Sequence, residues 1–287
     1  MAHSEEMFLE ILDDDIIVDK EKLISASYYG VPDSVRSKVW MYLLNISDSS
    51  HHFEGQQSEE RSKYYKTLRP TTFLYIKNAV NTAIHNMALT DMNITAGISN
   101  ILSNYFSCNP NIPFSSGIVS LCIPLFIASG RNEVSAFFML TNLIDRWYFH
   151  INNRMHIQQA SKLGKYISIF LPELANHLTS EALDTNELFV HWFQFLHSTA
   201  LPIASLLRLW DTYLSLSDEE LPSMLLFVSL GLVERIMPKI LRMEHIEIKN
   251  FLCNLPAVDI DLLLIQAQTM KSQFSSMFTI ENIQNEQ

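Results

Sequence analysis

The spacing of apolar residues constrains this chain most: they recur every three to four positions in one segment after another. Val35, Val39, Leu43 and Leu44 form one stripe, following Pro32-Asp33, where Asp33 is read as an N-cap. Ile94, Ile98, Ile101, Leu102 and Tyr105 form a second, and Phe137, Leu140, Ile144, Trp147 and Tyr148 a third. Ile157, Ala160, Leu163, Ile167 and Phe170 follow, ended by Leu171-Pro172. Leu188, Trp192 and Leu196 recur every four residues, and Ile260, Leu263, Leu264, Ala267 and Met270 mark a late amphipathic helix. Residues 224–237 are apolar nearly all round until Glu234-Arg235, the pattern of a buried helix. Alternation at period two is missing. The spacing therefore predicts an all-α fold, with many helices around an extended core.

Composition narrows the function. The 287 residues are 48% hydrophobic and 18% charged, which excludes a disordered chain. Seven glycines leave no Gly-rich phosphate loop and no flexible Gly/Ser linker. A net charge of −11 without a basic stripe suits neither a nucleic-acid backbone nor unaided docking on anionic lipid, so no nucleic-acid partner is expected. The histidines show no His-Glu-x-x-His, and Asp13-Asp14-Asp15 reads as a solvated acidic turn, so no metal and no cofactor is expected. Cys108, Cys122 and Cys253 fit neither a C-x-x-C pair nor a closed disulfide set, and are read as buried, reduced thiols. The apolar stretches 117–129 and 224–233 fall short of the roughly 18–20 residues of a bilayer span. The N-terminus has acids where a signal peptide needs bases. The expectation is a soluble cytoplasmic protein without a transmembrane segment. Residues 47–63 are polar and read as a loop or a frayed helix start, and the tail after Met277 as mobile.

Three clusters combine aromatics with arginine, proline or glycine. The first is Gly30-Val31-Pro32 with Arg36, Trp40 and Leu43-Leu44. The second is Asn109-Pro110 followed by Phe114 and Ser116-Gly117. The third runs from Trp192-Phe193 through Leu201-Pro202 to Arg208-Leu209-Trp210-Asp211. Singly, each reads as core packing, and Arg208 with Asp211 as an i,i+3 pair. In this order and spacing they resemble the TBC domain, the all-helical module of GTPase-activating proteins for Rab GTPases. The signature G-(I/V)-P-x-x-x-R-x-x-x-W-x-x-L matches Gly30 through Leu43, and the W-F…L-P…L-R-(I/L)-W-D signature matches Trp192 through Asp211 with a slightly altered middle. The C-terminal third, with Asn250-Phe251-Leu252-Cys253-Asn254-Leu255-Pro256, is similar to the subgroup of the yeast Golgi Rab GAP. The resemblance covers nearly the whole chain. It implies an acidic segment over 1–27, a TBC domain over 28–277 and a mobile tail over 278–287. It implies structural roles for Gly30, Pro32, Arg208, Trp210 and Asp211, and a binding surface around Arg36, Trp40, Phe114 and Gly117.

The family supplies two catalytic groups to its GTPase: an arginine from I-x-x-D-x-x-R and a glutamine from Y-x-Q-G. By resemblance, Phe114-Ser115-Ser116-Gly117 stands at the second motif, with Phe114 for tyrosine and Ser116 for glutamine. Counting back thirty-four residues without a gap reaches Thr82 in place of the arginine; Ile76 is kept and Ala79 replaces the aspartate. Threonine carries no charge, and serine has neither the amide nor the reach. An arginine finger accelerates hydrolysis by about 10³–10⁵, or roughly 4–7 kcal/mol. Arg69, thirteen residues upstream of Thr82, is the one alternative cation.

The leading expectation is a degenerate relative, a pseudo-GAP that holds a Rab-family GTPase or serves a larger complex without catalysis. One alternative is an active Rab GAP using other residues such as Arg69. Another is an adaptor that grips a helical partner independently of GTPases, as TBC modules can in the tuberous sclerosis complex. A place at endomembranes such as the Golgi rests on the subgroup likeness alone.

Overall fold

The computed structural model describes residues 4–13, 17–48, 54–70, 73–87, 89, 92–152 and 154–285, with side chains for all of these except 92–93, 148–152 and 275–285. Among the described residues there are fifteen helices and no strand. They gather into two compact units, Met1–Phe149 with Pro202–Leu216, and His150–Leu201 with Ser217–Gln287.

The first unit begins with α1 (Glu5–Leu12) and α2 (Lys20–Ser27), started by Ser4 and Asp19, whose side chains accept from the Met7 and Lys22 amides. Phe8, Leu12 and Leu23 are fully buried against the rest of this unit, so the acidic N-terminal segment contributes to its core. In α3 (Asp33–Leu43) the predicted stripe is buried. Its cap is Pro32, however, and Asp33 is the first helical residue, its carboxylate paired with Arg36 instead of a backbone amide. α4 (Glu54–Thr67) replaces most of the predicted polar loop and buries no side chain. It is held by Tyr65, whose hydroxyl donates to Glu133 Oε2 at 3.0 Å and whose ring meets Phe137; residues 49–53 of that predicted loop lie outside the described ones.

α5 (Leu74–Asn86), α6 (Met92–Cys108), α7 (Ser116–Ala128) and α8 (Glu133–Asn152) follow, and α12 (Ile203–Ser215) returns to this unit. α7 is buried nearly all round, packed against α3, α5, α6 and α12. An almost wholly apolar helix has no face to give to water. α6 approaches α7 closely at Gly97: a Cβ there would lie 2.5 Å from Cζ of Phe126.

The second unit holds α9 (Met155–Phe170), α10 (Pro172–Ser180), α11 (Thr185–Gln194), α13 (Leu221–Ile240), α14 (His245–Leu252) and α15 (Ile260–Asn285). α13 is at its centre, against α9, α11 and α15. It is longer than the apolar stretch read from sequence. By length and composition it could cross a membrane, but 72% of its 18-residue window, of mean hydropathy 1.4, is buried in the protein, as in a core helix. The Leu188-Trp192-Leu196 stripe is not one helix. α11 stops at Gln194, and Leu196 (φ 50°) and His197 (φ 63°) are left-handed, turning the chain so that buried His197 reaches Ser229 of α13, Nε2 to Oγ 3.0 Å. The ends of the α9 stripe, Ile157 and Phe170, are exposed while its middle is core. α15 runs to Asn285, and the side chains of the predicted tail, 278–287, fall outside the described ones. Of the three cysteines expected to be buried, only Cys122 is; Cys108 and Cys253 are exposed, because both stand at helix ends away from the packed faces.

Candidate functional site

The motif residues divide between an interior scaffold and a surface. The scaffold centres on Asp211 of α12, which has no exposed surface. Its Oδ1 accepts from Arg36 Nε at 3.0 Å and Trp40 Nε1 at 2.9 Å; its Oδ2 accepts from the Val31 amide at 2.9 Å and Arg36 Nη2 at 3.2 Å. Burial pushes the Asp211 carboxyl above its ordinary value, and the hydrogen bonds and charge of Arg36, with the Val31 and Trp40 donors, oppose that shift. Arg36 Nη2 also donates to the Val31 carbonyl. Arg36 and Trp40, expected at a binding surface, are thus placed in the interior, where they hold the loop before α3 to α12. Beside them Gly30 takes φ +109°, with Arg208 Nε 2.9 Å from where a Cβ would stand. Arg208 spans that gap to donate to Thr212 Oγ1 at 3.0 Å and to the Tyr28 carbonyl at 3.5 Å.

The surface lies on α5 and at the start of α7, which pack together. α5 turns Ile76, Val80 and Ile84 into the core, one turn apart on a single stripe. Thr82 is exposed, its hydroxyl donating to the Asn78 carbonyl one turn back at 3.0 Å, and Ala79 is half-buried. Ser116 is the exposed first residue of α7; Ser115 caps that helix by accepting from the Gly117 amide at 3.2 Å, and Gly117 itself is buried. Half-buried Phe114 packs edge-on against Tyr75, ring centroids 4.9 Å apart, and against Phe106 at 5.4 Å. Tyr75 and Thr82 are seven residues apart, two turns on one helix face and about 10 Å along the axis. A short surface path therefore runs from Ser116 through Phe114 and Tyr75 to Thr82.

The chemistry available on that path is hydroxyl and ring, without a fixed cation or a carboxamide at either position. Arg69 is exposed just before α5, but its Nη1 donates to the carbonyls of Lys66 and Leu68 at 2.5 and 3.0 Å, at the end of α4. Tyr75 belongs to no helical stripe, so periodicity does not single it out; its sequence signal is the run Phe73-Leu74-Tyr75, apolar just outside an amphipathic pattern. No group of three or more potential metal ligands occurs among the described residues.

Residues 33–241, more than half of the chain, match the family model described as "Rab-GTPase-TBC domain". The chain is 22% identical to TBC1 domain family member 12 of Xenopus tropicalis over 92% of its own length and 42% of that protein. It is 24% identical to the GTPase-activating protein gyp1 of Schizosaccharomyces pombe, covering 93% of this chain and 61% of that one. Against the curated relatives it first matches, the chain spans less than half of their length. Among solved structures, the Ypt/Rab-GAP domain of Gyp1p aligns over 94% of this chain and 98% of that domain, with a TM-score of 0.76 at 20% identity. The Chlamydomonas flagellar RabGAP TBC domain aligns over 91% and 89%, with a TM-score of 0.65 at 21% identity. These structures share the fold.

Proposed function

Since the chain belongs to the Rab-GTPase-TBC domain family, we propose that it holds a Rab-family GTPase, alone or within a larger assembly, without accelerating GTP hydrolysis. One observation carries this reading: Thr82 and Ser116, at the positions that the family resemblance gives to the arginine and the glutamine, are exposed short alcohols. In phosphoryl transfer a cation must meet the charge growing on the γ-phosphate, and a side chain must orient the attacking water. Neither alcohol does the first, and neither reaches far enough for the second. Ala79, half-buried where an orienting carboxylate is expected, is consistent with an arginine no longer there. Arg69 is engaged at the end of α4, which counts against it as a substitute finger. The fission yeast relative is described as a GTPase-activating protein; that activity is what this chain is proposed to lack. We place its work in the cytoplasm, at the surface of endomembranes such as the Golgi.

Single-turnover GTP hydrolysis with a panel of Rab-family GTPases tests the reading. The chain is expected to accelerate none of them beyond about tenfold. In the double variant Thr82→Arg/Ser116→Gln, activity is expected to appear toward whichever GTPase the chain binds. Wild-type acceleration well above tenfold that disappears in Arg69→Ala overturns the proposal.

A further inference from the structure

We infer that the exposed edge at the start of α5, formed by Phe73, Leu74 and Tyr75, is the anchor by which this chain grips the apolar surface flanking the nucleotide site of its GTPase. The inference rests on the GTPase-holding reading above and names the contact that carries the binding.

Three consecutive large apolar side chains are exposed there, to 38%, 73% and 47%. Single exposed apolar residues are ordinary on a protein surface, whereas contiguous ones mark contact sites. Helix formation does not require them, because α5 already buries its own stripe through Ile76, Val80 and Ile84. The two rings of the edge are also braced. Phe73 stacks on Tyr75 at 5.3 Å with an interplanar angle of 21°, Tyr75 packs on Phe114, and Phe114 on buried Phe106. This ladder of rings runs from solvent into the core, so the exposed rings lose little further freedom on contact, and ordered aromatics are the side chains that dominate interfaces.

Position assigns the occupant. Tyr75 shares its helix face with Thr82, and its ring partner Phe114 is two residues from Ser116. The edge is continuous with Thr82 and Ser116, the two positions that the proposed function sets against the GTPase. It carries no charge itself, and exposed Lys77 lies one turn beyond Leu74. The partner surface that fits is apolar with an acidic rim.

The test measures the affinity of the full chain for a panel of purified Rab-family GTPases, in wild type, Leu74→Asp, Leu74→Ser and, as an exposed leucine control in the other unit, Leu262→Asp. Leu74 is 73% exposed, so melting temperature is expected to stay unchanged. For a GTPase that the wild type binds, Leu74→Asp is expected to weaken affinity by about tenfold or more, Leu74→Ser less, and Leu262→Asp not at all. Wild-type affinity in both Leu74 variants overturns the anchor while leaving the GTPase-holding reading intact. A wild-type chain that binds no member of the panel overturns both.

Discussion

At the residue scale the molecule depends on a few polar groups that its interior has to satisfy. Asp211 accepts four hydrogen bonds from Val31, Arg36 and Trp40 and has no exposed surface. Removing one partner of a buried charge pair strands the other, which costs about 3–5 kcal/mol. Asp211→Ala is expected to lower unfolding free energy by about that much in urea titration. A loss under about 1 kcal/mol would mean that the carboxylate is not holding the loop. His197 gives a pH signature. Burial lowers it from 6.5 to about 3, so the folded state keeps it neutral. The sign follows from linkage: its contribution is present in full above 6.5 and is lost as pH falls toward 3, because the unfolded chain takes up the proton first. Between pH 6.5 and 5 this single group is expected to remove on the order of 1–2 kcal/mol of stability. Wild type is therefore expected to lose more stability than His197→Gln over that interval; equal losses would show that the imidazole titrates freely in the folded state.

At the element scale, close packing overrides helix propensity. Alanine in place of a mid-helix glycine ordinarily stabilises by roughly 1 kcal/mol. In α6 the sign is expected to reverse, since the new Cβ at Gly97 would stand 2.5 Å from Cζ of Phe126, a ring itself buried in α7. Gly97→Ala is expected to destabilise by about 1–3 kcal/mol. Adding Phe126→Leu is expected to relieve part of that loss, so a double-mutant cycle reads the α6–α7 contact directly. Strictly additive effects would place the clash elsewhere. α5 illustrates the converse. Its buried stripe follows from its sequence period, but the reach of Tyr75 onto Phe114 joins two elements and no single-helix pattern contains it.

At the scale of the whole molecule, accessibility separates chemically identical groups. Native chain treated with a thiol alkylator is expected to be modified at Cys108 and Cys253, with Cys122 reacting only after unfolding; mass spectrometry of the peptides checks this. Burial both shields the Cys122 sulfur and pushes its thiol up, so little thiolate exists to react. Equal native rates at all three would contradict the interior placement of α7. From sequence alone all three thiols read as interior, since a cysteine behaves as a small hydrophobe and nothing local distinguishes one at a helix end.

What the amino-acid order determined alone was local and repetitive: the helices, because a period near 3.6 is written within each segment, and family membership, because spaced motifs such as Gly30–Leu43 survive as text. Thr82 and Ser116 stand at the finger positions only as a proposal from the family resemblance, and the sequence says nothing of what surrounds them. Tertiary structure decided which residues face inward. Arg36 and Trp40 read as surface candidates until Asp211, about 175 positions away in sequence, was brought against them. The α11 stripe broke at Gln194 for the same reason, His197 being drawn onto Ser229. Burial is a property of neighbours distant along the chain, and a helix period says which residues share a face but not what that face will meet.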